Sequence, residues 1–205
     1  MTTPLLGPAA VPVEVAAAWA RMHGAPEEFV ERAWLYYGVP FPGPFGSVDP
    51  ATGVDTLGIR PEVAYLQHAH ETGWGRFGGV VPPEFHNPAG IKVARPGDAP
   101  WPRGMTPDPR GSDYNPNAHQ RWPDWRAGVQ GHYRHLDGYV RGRAGIDNTV
   151  VAHERYYLIA GLSWPERPID TVEELDRWAG GPGSGYGPRL AEKVNALLAW
   201  ADAAR

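Results

Sequence analysis

The chain has 205 residues, no cysteine and a formal net charge of −4 at pH 7. This length suits one domain with a hydrophobic core, and 42% hydrophobic against 20% charged residues excludes a disordered chain. The lack of cysteine excludes disulfide frameworks, thiolate nucleophiles and cysteine-based zinc sites. The acidic balance argues against binding to duplex nucleic acid, which needs a basic face, and supplies no polybasic patch for a membrane surface.

Two helices are predicted before a long loop. The Ala-rich segment Val13–Met22 is the first, and "APEEFVERAWLYYG" is the second, with Pro26 suited to its first turn and Gly38 to its end. Residues 38–58 are rich in Pro and Gly and show no periodicity, which predicts a loop. The N-terminus has no basic segment and its apolar stretch is broken by prolines, so we expect neither a signal peptide nor membrane insertion.

The third predicted helix is "RPEVAYLQHAHET", residues 60–72. Pro61 favours its first turn, and Gly73 is suited to the left-handed position just beyond its end. Residues 92–119 are too polar and too rich in proline for a helix. We expect long loops there, with room for a small irregular hairpin lobe.

Helices are predicted again in the C-terminal half. "DWRAGVQGHYRHLDGYV" begins after the N-cap residue Asp124, and "NTVVAHERYYLIAG", residues 148–161, forms a short helix. A capping box from Thr171 to Glu174 opens another helix. The closing segment "PRLAEKVNALLAWADAA" is amphipathic, with its apolar stripe at Leu190, Val194, Leu197 and Ala201. Strands are not evident, so the sequence predicts a mainly α domain with long structured loops.

Glu71 is the most conspicuous polar residue of the third helix. It lies in the last turn, where the helix dipole disfavours a carboxylate, and Trp74 folded over it would add desolvation. Both effects raise the pKa of a Glu side chain, as a general acid working near neutrality requires. Gly73 and Gly75 let the backbone leave the helix sharply and leave room for a ligand. Taken alone, such a Glu is more often a solvated charge than a catalytic acid.

Four blocks in order, from about residue 58 to 200, resemble one enzyme family. "GIRPEVAYLQHAHETGWGRFGG" and "HNPAGIKV" resemble the bacterial glucosaminidase domains of glycoside hydrolase family 73, in which a helix ends in Glu-Thr/Ser-Gly and an Asn-x-x-Gly-Ile segment follows. "RWPDWRAGVQGHYRHLDGY" resembles the aromatic segment of that family, and "DRWAGGPGSGYGPRLAEKVNALL" resembles its closing segment. The order of the blocks is more specific than any one of them.

The resemblance implies a lysozyme-like, mainly α or α+β fold and hydrolysis of the β-1,4 bond after N-acetylglucosamine in peptidoglycan. We expect no cofactor and no metal. Residues 1–57 would be N-terminal helices and a loop packed on a catalytic core of residues 58–205, in a single globular domain. Glu71 would be the general acid. The implied substrate-binding residues are Gln67, Trp74, Asn87, Trp122 and Trp178, and each of the three tryptophans is equally well explained as part of the core.

The chain departs from the family pattern at two places. The family often has a second acidic residue in a flexible lobe; Glu84 matches an acidic position just before the Asn motif, while Asp108 and Asp113 lie in the later loop. The residue that activates water is therefore open, as is assistance by the N-acetyl group of the substrate, and so is the retaining or inverting outcome. Trp178 stands where a tyrosine usually opens the closing motif, and Tyr186 matches a later tyrosine of that motif. Because an indole N–H can only donate, Tyr186 would have to take over the catalytic role of orienting water or the acetamido group, or that role is lost.

Other functions compete with this hypothesis. A lytic transglycosylase or a muramidase would use the same fold and a single Glu, although transglycosylases usually follow that Glu with a Gly-Leu-Met-Gln type segment. A non-catalytic wall-binding module would need only the aromatic cleft. A metal enzyme is suggested by several histidines, His132 and His135 among them, but the His-Glu-x-x-His motif is absent. Peptidoglycan glycan strands are the expected partner, reached outside the cell or after release by a phage, as with an endolysin.

Overall fold

The computed structural model describes residues 2–38, 58–92, 119–141, 169–179 and 183–204. These residues form five α-helices and two short 3-10 helices: α1 Val13–Met22, α2 Glu27–Gly38, α3 Pro61–Thr72, 3-10 helix Pro83–Phe85, α4 Trp125–Arg141, 3-10 helix Val172–Trp178 and α5 Tyr186–Ala203. The described ranges contain no strand, only three isolated bridges. The predicted mainly α class is confirmed. The predicted hairpin lobe with Asp108 and Asp113, and the helix predicted over 148–161, lie outside the described residues.

The ends of α3 and α4 follow from local chemistry. Pro61 opens α3, where a missing N–H costs nothing, and Gly73 ends it with a φ of 59°, in the left-handed region that glycine adopts without strain. At the start of α4, the Asp124 carboxylate accepts the Ala127 N–H at 2.8 Å. All three positions agree with the sequence prediction.

The capping box at Thr171 opens a 3-10 helix in place of the predicted α-helix. The Glu174 carboxylate accepts hydrogen bonds from the Thr171 N–H at 3.2 Å and from the Thr171 hydroxyl at 3.1 Å. The helix ends at Trp178 after seven residues. Because this 3-10 helix is short, Trp178 lies close to the start of α5. This proximity determines the geometry of the candidate site.

A single apolar core unites the described helices. α3 lies in its middle, with Val63, Ala64, Tyr65 and Leu66 all 0% exposed. α3 packs against α2 and α5, and α2 packs against α1 and α4. The four residues of the predicted stripe on α5 are all buried: Leu190, Val194, Leu197 and Ala201. The N-terminal helices belong to the same cluster of buried side chains as the later ones.

An extended N-terminal segment joins two distant parts of the chain. The Leu5 N–H donates to the Asp170 carbonyl at 2.9 Å, and the Leu5 carbonyl accepts the Arg60 N–H at 3.0 Å. The Val172 N–H donates to the Thr3 carbonyl at 2.9 Å. The start of α3 and the start of the second 3-10 helix are therefore held to one backbone segment.

A buried guanidinium joins α2 to α4. Arg32 is only 8% exposed, and its guanidinium carbon lies 3.6 Å from the ring centroid of Trp125. Burial lowers the pKa of Arg32 to about 10, so the side chain is still charged at neutral pH. The His68 ring stacks on the same indole, with centroids 5.4 Å apart.

Across the described ranges, no helix combines the length and apolar character needed to cross a membrane.

Candidate active site

Glu71 occupies the exposed end of a helix that is otherwise almost wholly buried. The turn after it folds back tightly, because the Thr72 hydroxyl accepts the Gly75 N–H at 2.9 Å and a Cβ on Gly75 would lie 2.6 Å from Phe29. This turn carries Trp74 toward α1 and α2, where its ring stacks on His23 with centroids 4.5 Å apart. The described rings around Trp74 are thus His23 and Phe29, and the contacts made by the Glu71 carboxylate come from elsewhere.

Two hydrogen-bond donors converge on one oxygen of Glu71. The Tyr186 hydroxyl donates to Oε1 at 2.5 Å, and the Trp178 indole N–H donates to the same atom at 2.9 Å. Among the described residues, none donates a hydrogen bond to Oε2. The carboxyl group is therefore held by one oxygen and leaves the other available.

The environment of Glu71 favours the protonated acid. Desolvation raises the pKa of its carboxyl, and the hydrogen bonds from Tyr186 and Trp178 offset only part of that rise. The residue is nonetheless exposed on one side. The rise predicted for the pKa of Glu71 is confirmed in direction, and its main cause is desolvation by the surrounding protein.

Aromatic side chains of α4 hold Trp178 in place. The indole ring packs against His135, Tyr139 and His132, with centroid distances of 4.9, 5.0 and 5.8 Å. Its N–H is used by Glu71. The sequence predicts Trp178 as a sugar-stacking residue; its described contacts are with the Glu71 carboxylate and with rings of α4.

The closing segment brings Trp178 and Tyr186 together. The Asp176 carboxylate accepts the N–H groups of Gly183 at 3.0 Å and Gly187 at 2.9 Å, which fixes the second 3-10 helix against the start of α5. A Cβ on Gly187 would lie only 2.2 Å from the carbonyl oxygen of Glu173. The role of Asp176 was not predicted from the sequence, although an Asp before a Gly-rich turn and a helix start is a recognisable cap for backbone N–H groups.

Gln67 does not line a cleft, contrary to the sequence prediction. It is 0% exposed and lies behind Tyr186, to whose oxygen its Nε2 donates at 3.0 Å. Its Oε1 lies 2.9 Å from His132 Nε2, and His132 Nδ1 lies 2.8 Å from the Tyr36 hydroxyl. His132 had been weighed as a metal ligand, but both of its ring nitrogens are used in this buried chain. The sequence signal that could have indicated these buried roles is a polar residue, such as Gln67 or His132, on a helix face that is otherwise apolar.

Asn87 is a structural residue, which corrects its prediction as a substrate contact. It is 1% exposed, and its Nδ2 donates to the carbonyls of Ile91 and Gln120, each at 2.9 Å. Its Oδ1 accepts the N–H groups of Ile91 at 2.9 Å and Ala89 at 3.4 Å. The Asn-x-x-Gly-Ile motif is thus a turn closed by its own Asn side chain.

The other two predicted residues lie near α4 and the first 3-10 helix. Glu84 is exposed on that 3-10 helix, and no described contact joins it to Glu71. Trp122 is half-buried, and its ring covers Gly131 of α4 so closely that a Cβ there would lie 2.3 Å from the indole. Trp122 therefore packs directly against α4 and supports it.

The described ranges contain no group of three His, Asp or Glu side chains arranged to hold a metal ion.

No family model, curated protein or solved structure matches this chain. The geometry around Glu71 and the order of the four sequence blocks are therefore the two observations that bear on the function of this protein.

Proposed function

We propose that this protein is a peptidoglycan hydrolase that cleaves the β-1,4 bond after N-acetylglucosamine and uses Glu71 as its general acid. One observation carries the proposal. A carboxyl group with a raised pKa stands at the exposed end of a buried helix, with Oε1 bound by two donors and Oε2 unoccupied by any described donor. The choice of substrate rests on the resemblance of the four sequence blocks.

The geometry assigns different tasks to the two carboxyl oxygens. Trp178 can only donate, and Tyr186 receives a hydrogen bond from Gln67 at its oxygen, so both present hydrogens to Oε1. The acidic proton of Glu71 is then carried by Oε2, the oxygen free to meet a substrate. Because Oε1 accepts in both protonation states, the carboxyl keeps its orientation when the proton leaves.

The reaction follows from this arrangement. Glu71 Oε2–H protonates the glycosidic oxygen while the bond from that oxygen to C1 breaks, and positive charge develops at the sugar ring. The oxygen of a water molecule then bonds to C1 and loses its proton to the residue that activates it, for which Glu84 is the candidate, while the Glu71 carboxylate regains a proton from solvent. The hydrogen bonds from Tyr186 and Trp178 stabilise the carboxylate that exists between the two steps.

Product analysis tests the proposal. Purified peptidoglycan is digested with the wild-type protein, and the new chain ends are identified by mass spectrometry. Reducing N-acetylglucosamine supports the assignment, reducing muramic acid indicates a muramidase, and an anhydromuramic end indicates a lytic transglycosylase. The absence of any new end while the protein still binds the wall would indicate a non-catalytic binding module.

Glu71→Gln isolates the acid. The amide keeps the size of the side chain but has no acidic proton, so turnover is expected to fall by about 10²-fold or more. Glu192→Gln is the matched control, because Glu192 is an exposed Glu on α5 away from the carboxyl contacts. Equal activity of Glu71→Gln and Glu192→Gln would remove Glu71 from the mechanism. Glu84→Gln, assayed in parallel, tests the candidate for the residue that activates water.

A further inference from the structure

Four buried side chains from four helices form a continuous hydrogen-bond chain that ends on Glu71. In order they are Tyr36 of α2, His132 of α4, Gln67 of α3 and Tyr186 of α5. Their exposures are 2%, 0%, 0% and 3%. Such a polar chain inside an apolar core is costly unless every member is satisfied, so its direction can be worked out from the chemistry of each group.

The direction of each hydrogen bond follows from the donors. The amide nitrogen of Gln67 can only donate, so the Tyr186 oxygen accepts and the Tyr186 O–H is directed to Glu71. Gln67 Oε1 can only accept, so His132 carries its hydrogen on Nε2. The ring is neutral, because burial lowers the pKa of His132 to about 3. Its bare Nδ1 accepts the hydrogen of the Tyr36 hydroxyl.

If every hydrogen bond from Tyr36 to Glu71 ran in the opposite direction, the consequence for Glu71 would be different. Glu71 would donate to Tyr186, Tyr186 to Gln67, Gln67 to His132 Nε2, and His132 Nδ1–H to the Tyr36 oxygen. The proton of Glu71 would then point into the protein, away from a substrate. The Tyr36 hydroxyl hydrogen would also lose its described acceptor, and an unsatisfied buried donor costs about 1–3 kcal/mol. Tyr36 is thus the residue that makes the two directions unequal.

We propose that Tyr36, His132 and Gln67 are positioning residues that hold the Tyr186 hydroxyl in the orientation that donates to Glu71. Through this chain, a side chain four hydrogen bonds away determines which oxygen of Glu71 carries the acidic proton. The effect on turnover rests on the proposed function, whereas the effect on the protonation of Glu71 does not.

Titratable groups around the chain belong to four helices. On α2, Arg32 acts on Tyr36, whose pKa is raised well above its ordinary value by burial. Tyr186 stays protonated because burial raises its pKa well above the ordinary value. Arg189 of α5 acts on Tyr186, and Arg189 and Lys193 act on His70 of α3, whose ring contacts Tyr186. On the α4 side, His135 packs against Trp178. Tyr36, His132, Gln67 and Tyr186 are themselves neutral at neutral pH.

Tyr36→Phe tests the proposal, with Tyr65→Phe as its matched control. Both tyrosines are buried in the same core, and their rings lie 5.7 Å apart, but the Tyr65 hydroxyl donates to the Phe29 carbonyl, outside the chain. Two measurements by NMR are made on the full-length protein. The ¹⁵N shifts of the His132 ring report which nitrogen carries hydrogen, and the ¹³C carboxyl titration of Glu71 is assigned by its loss in Glu71→Gln.

In the wild type and in Tyr65→Phe, His132 is expected to carry hydrogen on Nε2 alone. In Tyr36→Phe we expect a mixture of the two tautomers and an upward shift of the Glu71 titration midpoint larger than that of Tyr65→Phe. On the proposed function, kcat falls several-fold while KM is unchanged. If the wild type gives no glycan product, the two NMR measurements still decide the positioning role.

A second pair of variants guards against misfolding of Tyr36→Phe. His132→Leu frees Gln67 to accept the Tyr186 hydrogen, so the Glu71 midpoint should rise. His132→Gln places an amide N–H where Nε2 was and should return the midpoint toward the wild-type value. If Tyr36→Phe and His132→Leu both titrate like Tyr65→Phe, the chain only fills space and the proposal is overturned.

Discussion

Gly187→Ala is expected to separate the two elements that hold Glu71. Gly187 is the second residue of α5 and faces the backbone of the 3-10 helix Val172–Trp178. A Cβ there would lie 2.2 Å from the Glu173 carbonyl oxygen and 2.7 Å from that of Val172, whereas ordinary contact begins at 3.4 Å. The Glu173 carbonyl must therefore retreat by about 1 Å. Because it is backbone, the 3-10 helix has to move with it.

This displacement has a cost in stability and a consequence for the acid. Overpacking of this kind costs about 1–3 kcal/mol, and each kcal/mol lowers Tm by about 2–4 °C in a chain of this size. We therefore expect Tm to fall by roughly 2–12 °C. The distance from Trp178 Nε1 to Glu71 Oε1 is 2.9 Å, and about 1 Å of separation would break this hydrogen bond. With one donor lost, the pKa of Glu71 rises.

Thermal melts and the indole N–H resonance of Trp178 measure the two effects. Gly78→Ala is the control, because a Cβ at Gly78 meets nothing within 4 Å and the residue has no left-handed φ. If Gly187→Ala melts with Gly78→Ala and the indole resonance of Trp178 does not move, the close approach of α5 to the 3-10 helix is wrong.

Three further predictions concern single contacts. Trp178→Phe removes a donor to the Glu71 carboxylate, so the pKa of the acid rises and the basic limb of the pH–rate profile moves to higher pH; Trp74→Phe should leave that limb in place. Asp124→Ala removes the cap of α4 and should cost about 1 kcal/mol in urea unfolding, whereas Asp124→Asn should retain most of it. Neutral His132 binds fewer protons than the unfolded chain between pH 6.5 and about 3, so stability falls as pH falls through that window; His132→Gln should flatten the slope by up to about 1.4 kcal/mol per pH unit, and an unchanged slope would contradict this.

Elements whose limits are set by neighbouring residues could be predicted from the sequence. α1 has the predicted limits, Val13–Met22, and α3 begins at Pro61 and ends before Gly73 as expected. The apolar stripe of α5 is buried as its periodicity indicated. In each case the information lies within one turn of helix or in a repeating pattern. The sequence also singled out Glu71 and, from the closing segment, Tyr186, and the structure brings these two side chains into contact.

Roles that depend on burial could not be predicted in this way. Gln67 was expected at the substrate because it lies one turn before Glu71 on the same helix face, and Asn87 because it opens the Asn-x-x-Gly-Ile motif. Packing places both side chains inside the protein. His132 suggested a metal ligand because its spacing from His135 allows one, whereas its partners come from α2 and α3, which are 96 and 65 residues away along the chain. Only the tertiary structure brings those groups within hydrogen-bond distance.

The burial of α3 has a consequence for how the proposed activity would be lost on heating. Glu71 stands one turn beyond Gln67 and His68, which are both 0% exposed, so the backbone that carries it cannot loosen without opening the centre of the core. Amide hydrogens of α3 should be among the slowest to exchange with solvent. Thermal inactivation would then coincide with cooperative unfolding of the whole core, with no earlier stage in which the acid alone is displaced.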